Sequence, residues 1–279
     1  SLGEKGLIFE ITQTRIYPHK NLFSHVLGQI DIDNNGISGI EKFYDTDLKK
    51  NDNQSIHLSL DTNLQYLIRE ELLKSLSTFQ SKGAASLLMD VNTGEILSLI
   101  SLPDYNLNLR QDLKDKNFTN KITKGVFELG SIFKTFTLAL AIESDLYSPS
   151  TIIKNIPDKI QCSKFTINEH DEMPSDLTLK EILVRSSNIG TIKVARSLGE
   201  DKLKNFLEDL NLLNKINLEL NEIGSPLKFL WNKCKLETVS YGHGITTTPL
   251  QAASAYASIT NGGIVVNPTL LKNRTINSK

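Results

Sequence analysis

The chain of 279 residues carries 31 basic and 32 acidic side chains, a formal net charge of -1, and is long enough for one large domain or one domain with a smaller neighbour. That balance offers no basic face to nucleic acid or an anionic membrane, and no apolar run reaches the roughly 20 residues of a membrane span. Two cysteines, Cys162 and Cys234, and five histidines lie without metal-ligand spacing, so neither a disulfide framework nor a zinc site is expected; two free thiols or a single bridge both stay open.

In chain order, residues 1 to about 50 hold turn signals and short extended stretches, with Asp33-Asn34 and Asn35-Gly36 as turns. The opening "SLGEKGLIFEI" has no basic-then-apolar leader and reads as the middle of something, a fragment or an engineered soluble piece. "DTDLKKNDNQ", residues 45–54, reads as a polar linker, and "SIHLSLD" as a strand. Asp61 or Thr62 then caps a helix with Leu64, Leu67, Ile68, Leu72 and Leu73 at helical spacing. "AASLLMDV" and "EILSLISL", joined by "NTG", predict a hairpin. Ile132 to Ile142 is apolar almost all round and reads as a buried helix. Thr178 and Glu181 form a capping-box pattern before Ile182, "SSNIG" interrupts at 186–190, and two further helices follow with Gly199 as the stop between them. A hairpin followed mainly by helices, with strands returning later, predicts an α+β fold.

One lysine contradicts its surroundings. Lys134 stands in the apolar helix, although lysine is rarely buried without a partner. Ser131 lies three residues before it, on the same helical face. A serine at a helix N-terminus beside an amine is a candidate activated nucleophile. In water, with a pKa of about 10.4, well under a thousandth of lysine is neutral at pH 7; apolar surroundings lower that pKa and make a base of it. A bare Ser-x-x-Lys is weak by itself, because Ser131 could equally be a helix cap with a snorkelling lysine. A second copy, Ser225 to Lys228, contains Pro226 and reads as a loop. The "RSSNIG" stretch is a turn pattern in isolation. Between two helices, however, Ser186 and Asn188 can carry a hydroxyl for proton relay and an amide for a carbonyl or the lysine.

Ser-x-x-Lys followed by Ser-x-Asn resembles the penicillin-binding proteins and serine β-lactamases. "LSLDTNLQ", "GAASLLMDVNTGEILSLISLPDYN", "GSIFK", "RSSNIGTIKVA" and "SYGHGITTTPLQAASAYASITNGGIVVNPTL" look like the signatures of class B penicillin-binding proteins. "TPLQ", "NGG" and the form "SSNIG" favour the division-specific (septal) branch. "RIYP", "HVLG" and "GISGIEKFYD" resemble the end of that class's N-terminal pedestal. The resemblance therefore implies a pedestal remnant with a linker over 1–50 and a transpeptidase domain over 51–279. That domain has the penicillin-binding-protein/serine β-lactamase-like fold, an antiparallel sheet flanked by helices beside an all-α lobe.

The implied activity is a D,D-transpeptidase acting on D-Ala-D-Ala stem peptides of peptidoglycan and acylated by β-lactams. Ser131 is then the nucleophile, with its backbone N–H as half of the oxyanion hole. Lys134 is the general base, Ser186 the proton relay, and Asn188 a holder of Lys134 and substrate. No metal or organic cofactor is implied. The implied partners are a membrane glycan polymerase and other division proteins, and the implied place is the extracytoplasmic side of the cytoplasmic membrane. The family's third signature, Lys-Thr/Ser-Gly on a strand lining the site, does not occur in these 279 residues, so the expectation is a truncated domain, inactive alone. Leu129 and Thr135 stand where prolines are frequent in the class. The other readings are a serine carboxypeptidase or β-lactam hydrolase, and a non-catalytic division scaffold that keeps the fold.

Overall fold

The computed structural model describes residues 14–50, 55–109 and 118–272. Both chain ends discussed above, 1–13 and 273–279, lie outside the described residues, as does the 51–54 part of the expected linker. Three short helices come first, α1 (Ser24–Leu27), α2 (Gly39–Phe43) and α3 (Asp45–Lys49). The turn between α1 and α2 closes as expected: the Asp31 carboxylate accepts the Asp33 and Asn35 N–H groups at 2.9 and 2.8 Å. Residues 45–49 are helical rather than a linker. Asp45 and Asp47 sit in the first turn, where the helix dipole favours them, and Lys49 pairs with Asp45 at 2.8 Å.

The strand expected at 55–61 is reduced to one bridge, Leu58 to Leu271. The segment shares its hydrogen bonds between two neighbours, Ser59 N–H to the Leu270 carbonyl and Asp61 N–H to the Leu97 carbonyl, so no continuous ladder forms. Asp61 then caps α4 (Thr62–Phe79) by accepting the Asn63 and Leu64 N–H groups. The most buried residue of α4 is Gln65, whereas Leu67 and Leu73 of the expected apolar face are exposed. Gln65 faces the sheet because its amide is satisfied there. It accepts from the Ser98 hydroxyl and the Leu99 N–H, and donates to the Leu99 and Leu22 carbonyls.

The hairpin is present as β1 (Ala84–Met89) and β2 (Ile96–Leu102), antiparallel from Ala84 opposite Leu102 to Met89 opposite Ile96. Its turn is fixed by the Asp90 carboxylate, which accepts the Asn92 and Thr93 N–H groups at 2.8 Å each. β2 supplies Ile96 and Leu99 to an apolar cluster with Val26, Ile40, Ile122, Leu250 and Leu270. Residues 14–50 thus pack into the same core as the hairpin.

The remaining described chain is mainly helical. A 3-10 turn (Gly130–Phe133) runs into α5 (Lys134–Glu143). β3 (Ile152–Ile153) pairs with β6 (Leu177–Thr178), and β4 (Lys159–Cys162) with β5 (Phe165–Asn168). Then come α6 (Leu179–Val184), α7 (Asn188–Leu198), α8 (Glu200–Asp209), α9 (Lys235–Ser240) and α10 (Pro249–Thr260). The Thr178–Glu181 capping box is formed. Gly199, at φ 87°, separates α7 from α8 where a side chain would be strained. Among the described residues, the strands that return after β2 are two to four residues long.

A second apolar cluster joins Phe133, Phe136 and Leu140 to Ile182, Ile189, Val194, Leu203 and Val239. This burial places α5 in the core of the helical lobe, although Ile132 in the turn before it and Ile142 near its end are exposed. The cysteines form one bridge, Cys162 to Cys234, across 72 residues of sequence. It ties the β4–β5 hairpin to the start of α9. Closing a loop of that length restricts the unfolded chain, so replacing both cysteines by serine lowers stability by about 2–4 kcal/mol. Denaturant melts of the intact protein check this; an unchanged midpoint after the double replacement would show that the bridge adds nothing.

Candidate active site

Ser131 is the second residue of the 3-10 turn and Lys134 the first residue of α5. Backbone N–H groups at such a start lack intrahelical acceptors. Gly130 takes φ 61°, the left-handed entry that its lack of a side chain permits. Ser131 is exposed, whereas Lys134 is 1% exposed. The nucleophile candidate therefore faces solvent while the amine behind it is dry.

The Lys134 amine reaches three oxygens. It lies 3.1 Å from the Ser131 hydroxyl, 2.8 Å from the Ser186 hydroxyl and 2.5 Å from the Ser186 carbonyl. Burial pushes the Lys134 pKa down to about 8, with Glu169 pulling it partly back. At that value about a tenth of the amine is neutral at pH 7. A neutral amine has two N–H donors and one lone pair. Three oxygen neighbours match the three donors of the protonated amine, and loss of one proton leaves two donors for Ser186 and a lone pair facing the Ser131 hydroxyl.

Ser186 sits between α6 and α7 at φ 55°, left-handed for a residue with a side chain. Its N–H bonds to the Leu183 carbonyl and the Ser187 N–H to that of Ile182, so the end of α6 imposes this turn. Ser187 then caps α7 by accepting the Gly190 N–H. Asn188 departs from expectation. Its side-chain amide donates to the Asn168 carbonyl at 3.2 Å, not to Lys134. As the first residue of α7 it lies beside the end of β5, whose last carbonyl it meets. Ser225 lies in an irregular exposed stretch, in agreement with the loop reading of that second Ser-x-x-Lys.

Several contributors carried no signal strong enough to be picked out of the sequence. The Tyr256 hydroxyl of α10 donates to the Ile132 carbonyl at 2.8 Å and lies 2.9 Å from the Thr135 hydroxyl. Thr137 bonds to the Ser240 carbonyl. Beyond α9, Gly242 passes so close to the turn that a Cβ there would lie 1.9 Å from the Gly130 carbonyl oxygen. At the rim, the His243 ring nitrogen lies 3.4 Å from the Glu128 carboxylate. Lys235 stands over the Phe229 ring and bonds to the Gly244 carbonyl. Glu169, directly after β5, accepts from the Ser187 hydroxyl and from the Asn188 and Ile189 N–H groups.

Comparison with known proteins gives the family and the fold. A family model described as the penicillin binding protein transpeptidase domain matches residues 84–278. The chain is 32% identical over 268 residues to the probable peptidoglycan D,D-transpeptidase FtsI of Caulobacter vibrioides, a match covering 94% of this chain and 45% of that protein. It is 30% identical over 290 residues to the peptidoglycan D,D-transpeptidase FtsI of Escherichia coli K12, covering 93% and 48%. The fold matches the crystal structure of penicillin binding protein 3 from Mycobacterium tuberculosis with a TM-score of 0.83 at 25% identity, covering 93% of this chain and 61% of that one. That neighbour has also been solved with aztreonam and with ampicillin. The chain belongs to the penicillin-binding protein transpeptidase family and has its transpeptidase fold. It spans about half the length of the curated relatives it matches.

Gly242→Ala places a methyl group against the Gly130 backbone and forces a side chain into φ 87°. Backbone must move on one side, so a loss of at least about 2 kcal/mol is expected in a denaturant melt. A variant as stable as the parent would show that the two segments part without cost.

Proposed function

We propose that this chain is part of a serine D,D-transpeptidase that cross-links peptidoglycan stem peptides through an acyl-enzyme on Ser131. The observation that carries the reading is the solvent-facing Ser131 hydroxyl on a buried amine with a lowered proton affinity. The neutral Lys134 takes the Ser131 proton as the hydroxyl oxygen attacks the carbonyl between the two D-alanines. The tetrahedral oxyanion forms beside the Ser131 N–H. Lys134 passes a proton through the Ser186 hydroxyl to the departing D-alanine amine, for which the 2.8 Å contact is short enough. The acceptor amine of a second stem peptide then attacks the ester, and the same groups run in reverse. A β-lactam carbonyl is attacked in the same way, a reading supported by the ampicillin and aztreonam complexes of the structural neighbour.

Assignment to the septal branch rests on the "TPLQ", "NGG" and "SSNIG" forms and on relatives bearing the name FtsI. The cytoplasmic membrane, with the catalytic part on its extracytoplasmic side, is the proposed location. The Cys162–Cys234 bridge supports it, because such bonds persist in oxidising compartments. Among the described residues no helix is long and apolar enough to cross a membrane. The proposed partners are stem peptides, a membrane glycan polymerase and other division proteins. Residues 1–50 are proposed as the pedestal remnant with its linker and 51–279 as the transpeptidase part; the family match beginning at 84 falls within the latter.

Incubation of the full-length protein, of which this chain is proposed to be part, with benzylpenicillin is expected to give one covalent adduct by intact mass, absent in Ser131→Ala. No adduct on the folded parent would sink the reading, and rapid loss of the adduct to water would favour a hydrolase. The acylation rate is expected to rise with pH through a midpoint near 8, as Lys134 loses its proton. Lys134→Ala lowers the rate by ~10²–10⁴; a rate independent of pH between 6 and 9 would exclude Lys134 as the base.

A further inference from the structure

Glu169 lies outside every motif that points to the chemistry, yet it is bonded to the segment that presents Ser186. It follows β5 directly, half-buried, and its carboxylate accepts three hydrogen bonds. One oxygen takes the Ser187 hydroxyl at 2.5 Å and the Ile189 N–H at 2.9 Å; the other takes the Asn188 N–H at 2.7 Å. These donors are the cap and the first two residues of α7. An anion at a helix start gains from the exposed N–H groups and the dipole, and bonds to a carboxylate are about twice as strong as neutral ones. The preceding carbonyl, that of Asn168, accepts the Asn188 side-chain amide, so the end of β5 grips α7 twice.

Ser186 is the residue immediately before this grip. Its φ of 55° is unfavourable for a side-chain-bearing residue and persists only where neighbours over-determine it. The end of α6 holds it from one side and the Glu169 clamp from the other. The hairpin carrying Glu169 is itself anchored through Cys162–Cys234 to the start of α9. From there the chain leads to the Ser240 carbonyl on Thr137 and to Gly242 against Gly130. Both halves of the candidate site are thus referred to one framework.

We propose that Glu169 is a positioning residue for acyl transfer, clamping the start of α7 so that Ser186 meets Lys134. The inference rests on the transpeptidase reading above. Lys134 meets the Ser131 hydroxyl from its own turn and the Ser186 hydroxyl and carbonyl from the α6–α7 loop. The Glu169 carboxylate, at the end of β5, raises the proton affinity of Lys134 in part against the effect of burial. At the rim, Glu128 pairs with His243, and Lys235 is held on Gly244.

The test is the rate of acylation by a fluorescent penicillin as a function of pH, on the intact protein and two variants. Glu169→Gln keeps the size but removes the charge and turns an NH2 toward the Asn188 N–H. Its plateau rate is expected to fall at least about tenfold, with the acidic limb moving to lower pH because the attraction on the Lys134 proton is gone. Glu169→Asp keeps the charge but retracts it by one methylene. It is expected to lower the plateau and leave the limb in place. A residue needed only for folding would change the amount of active protein without moving the limb of Glu169→Gln. An unmoved limb in that variant, or an unchanged plateau in either, overturns the proposal. Should Glu169→Gln fail to fold, the Glu169→Asp plateau decides. A labelled parent with unaffected variants overturns the role of Glu169 alone, whereas an unlabelled parent overturns the transpeptidase reading and this inference with it.

Discussion

The constraint on which the site depends is a dry amine. Lys134 is almost fully buried, so its Nζ must find oxygen partners or lose its charge. It does both in part: it contacts Ser131 and Ser186 and has a proton affinity well below that of free lysine. Those contacts join the start of α5 to the α6–α7 loop, 52 residues away in sequence. The same burial that packs Phe133 and Phe136 into the helical lobe therefore also lowers the proton affinity of Lys134. The packed core and the lowered proton affinity of the amine come from one packing arrangement rather than from separate devices.

Around this amine the fold supplies fixed backbone. Tyr256 of α10 holds the Ile132 carbonyl, and Gly242 lies against the Gly130 carbonyl where no side chain fits. The left-handed Ser186 is set by the end of α6 and the start of α7. Each contact fixes main chain rather than a reacting side chain. Catalytic geometry demands such stiffness, because a hydroxyl displaced by about 1 Å loses much of its effect. The disulfide adds a covalent tie between two of these supports.

Legibility in the sequence followed distance along the chain. Asp61 as a cap, the Thr178–Glu181 capping box and the β1–β2 hairpin are local, and all are present. Ser131 and Lys134 are three residues apart, so helical spacing alone brings them together. Failures came where a remote neighbour decided. The 55–61 strand lost its ladder because two different segments share its hydrogen bonds. Gln65, not the leucines, became the buried residue of α4 because four polar partners await it on β2 and near α1. Asn188 turned to Asn168 because β5 ends beside it.

The sequence by itself determined the Ser131–Lys134 pair, a candidate nucleophile with an amine beside it, and the family resemblance, since these rest on residue types at short, fixed spacings. It also determined that Cys162 and Cys234 had at most one bridge to make between them. Tertiary structure alone decided that Lys134 is buried, that Ser186 faces it, and that Glu169 is bonded to the start of α7 just after Ser186. Burial and long-range hydrogen bonds depend on which segments meet in space. Local periodicity specifies the face a residue occupies but not the partner that will cover it.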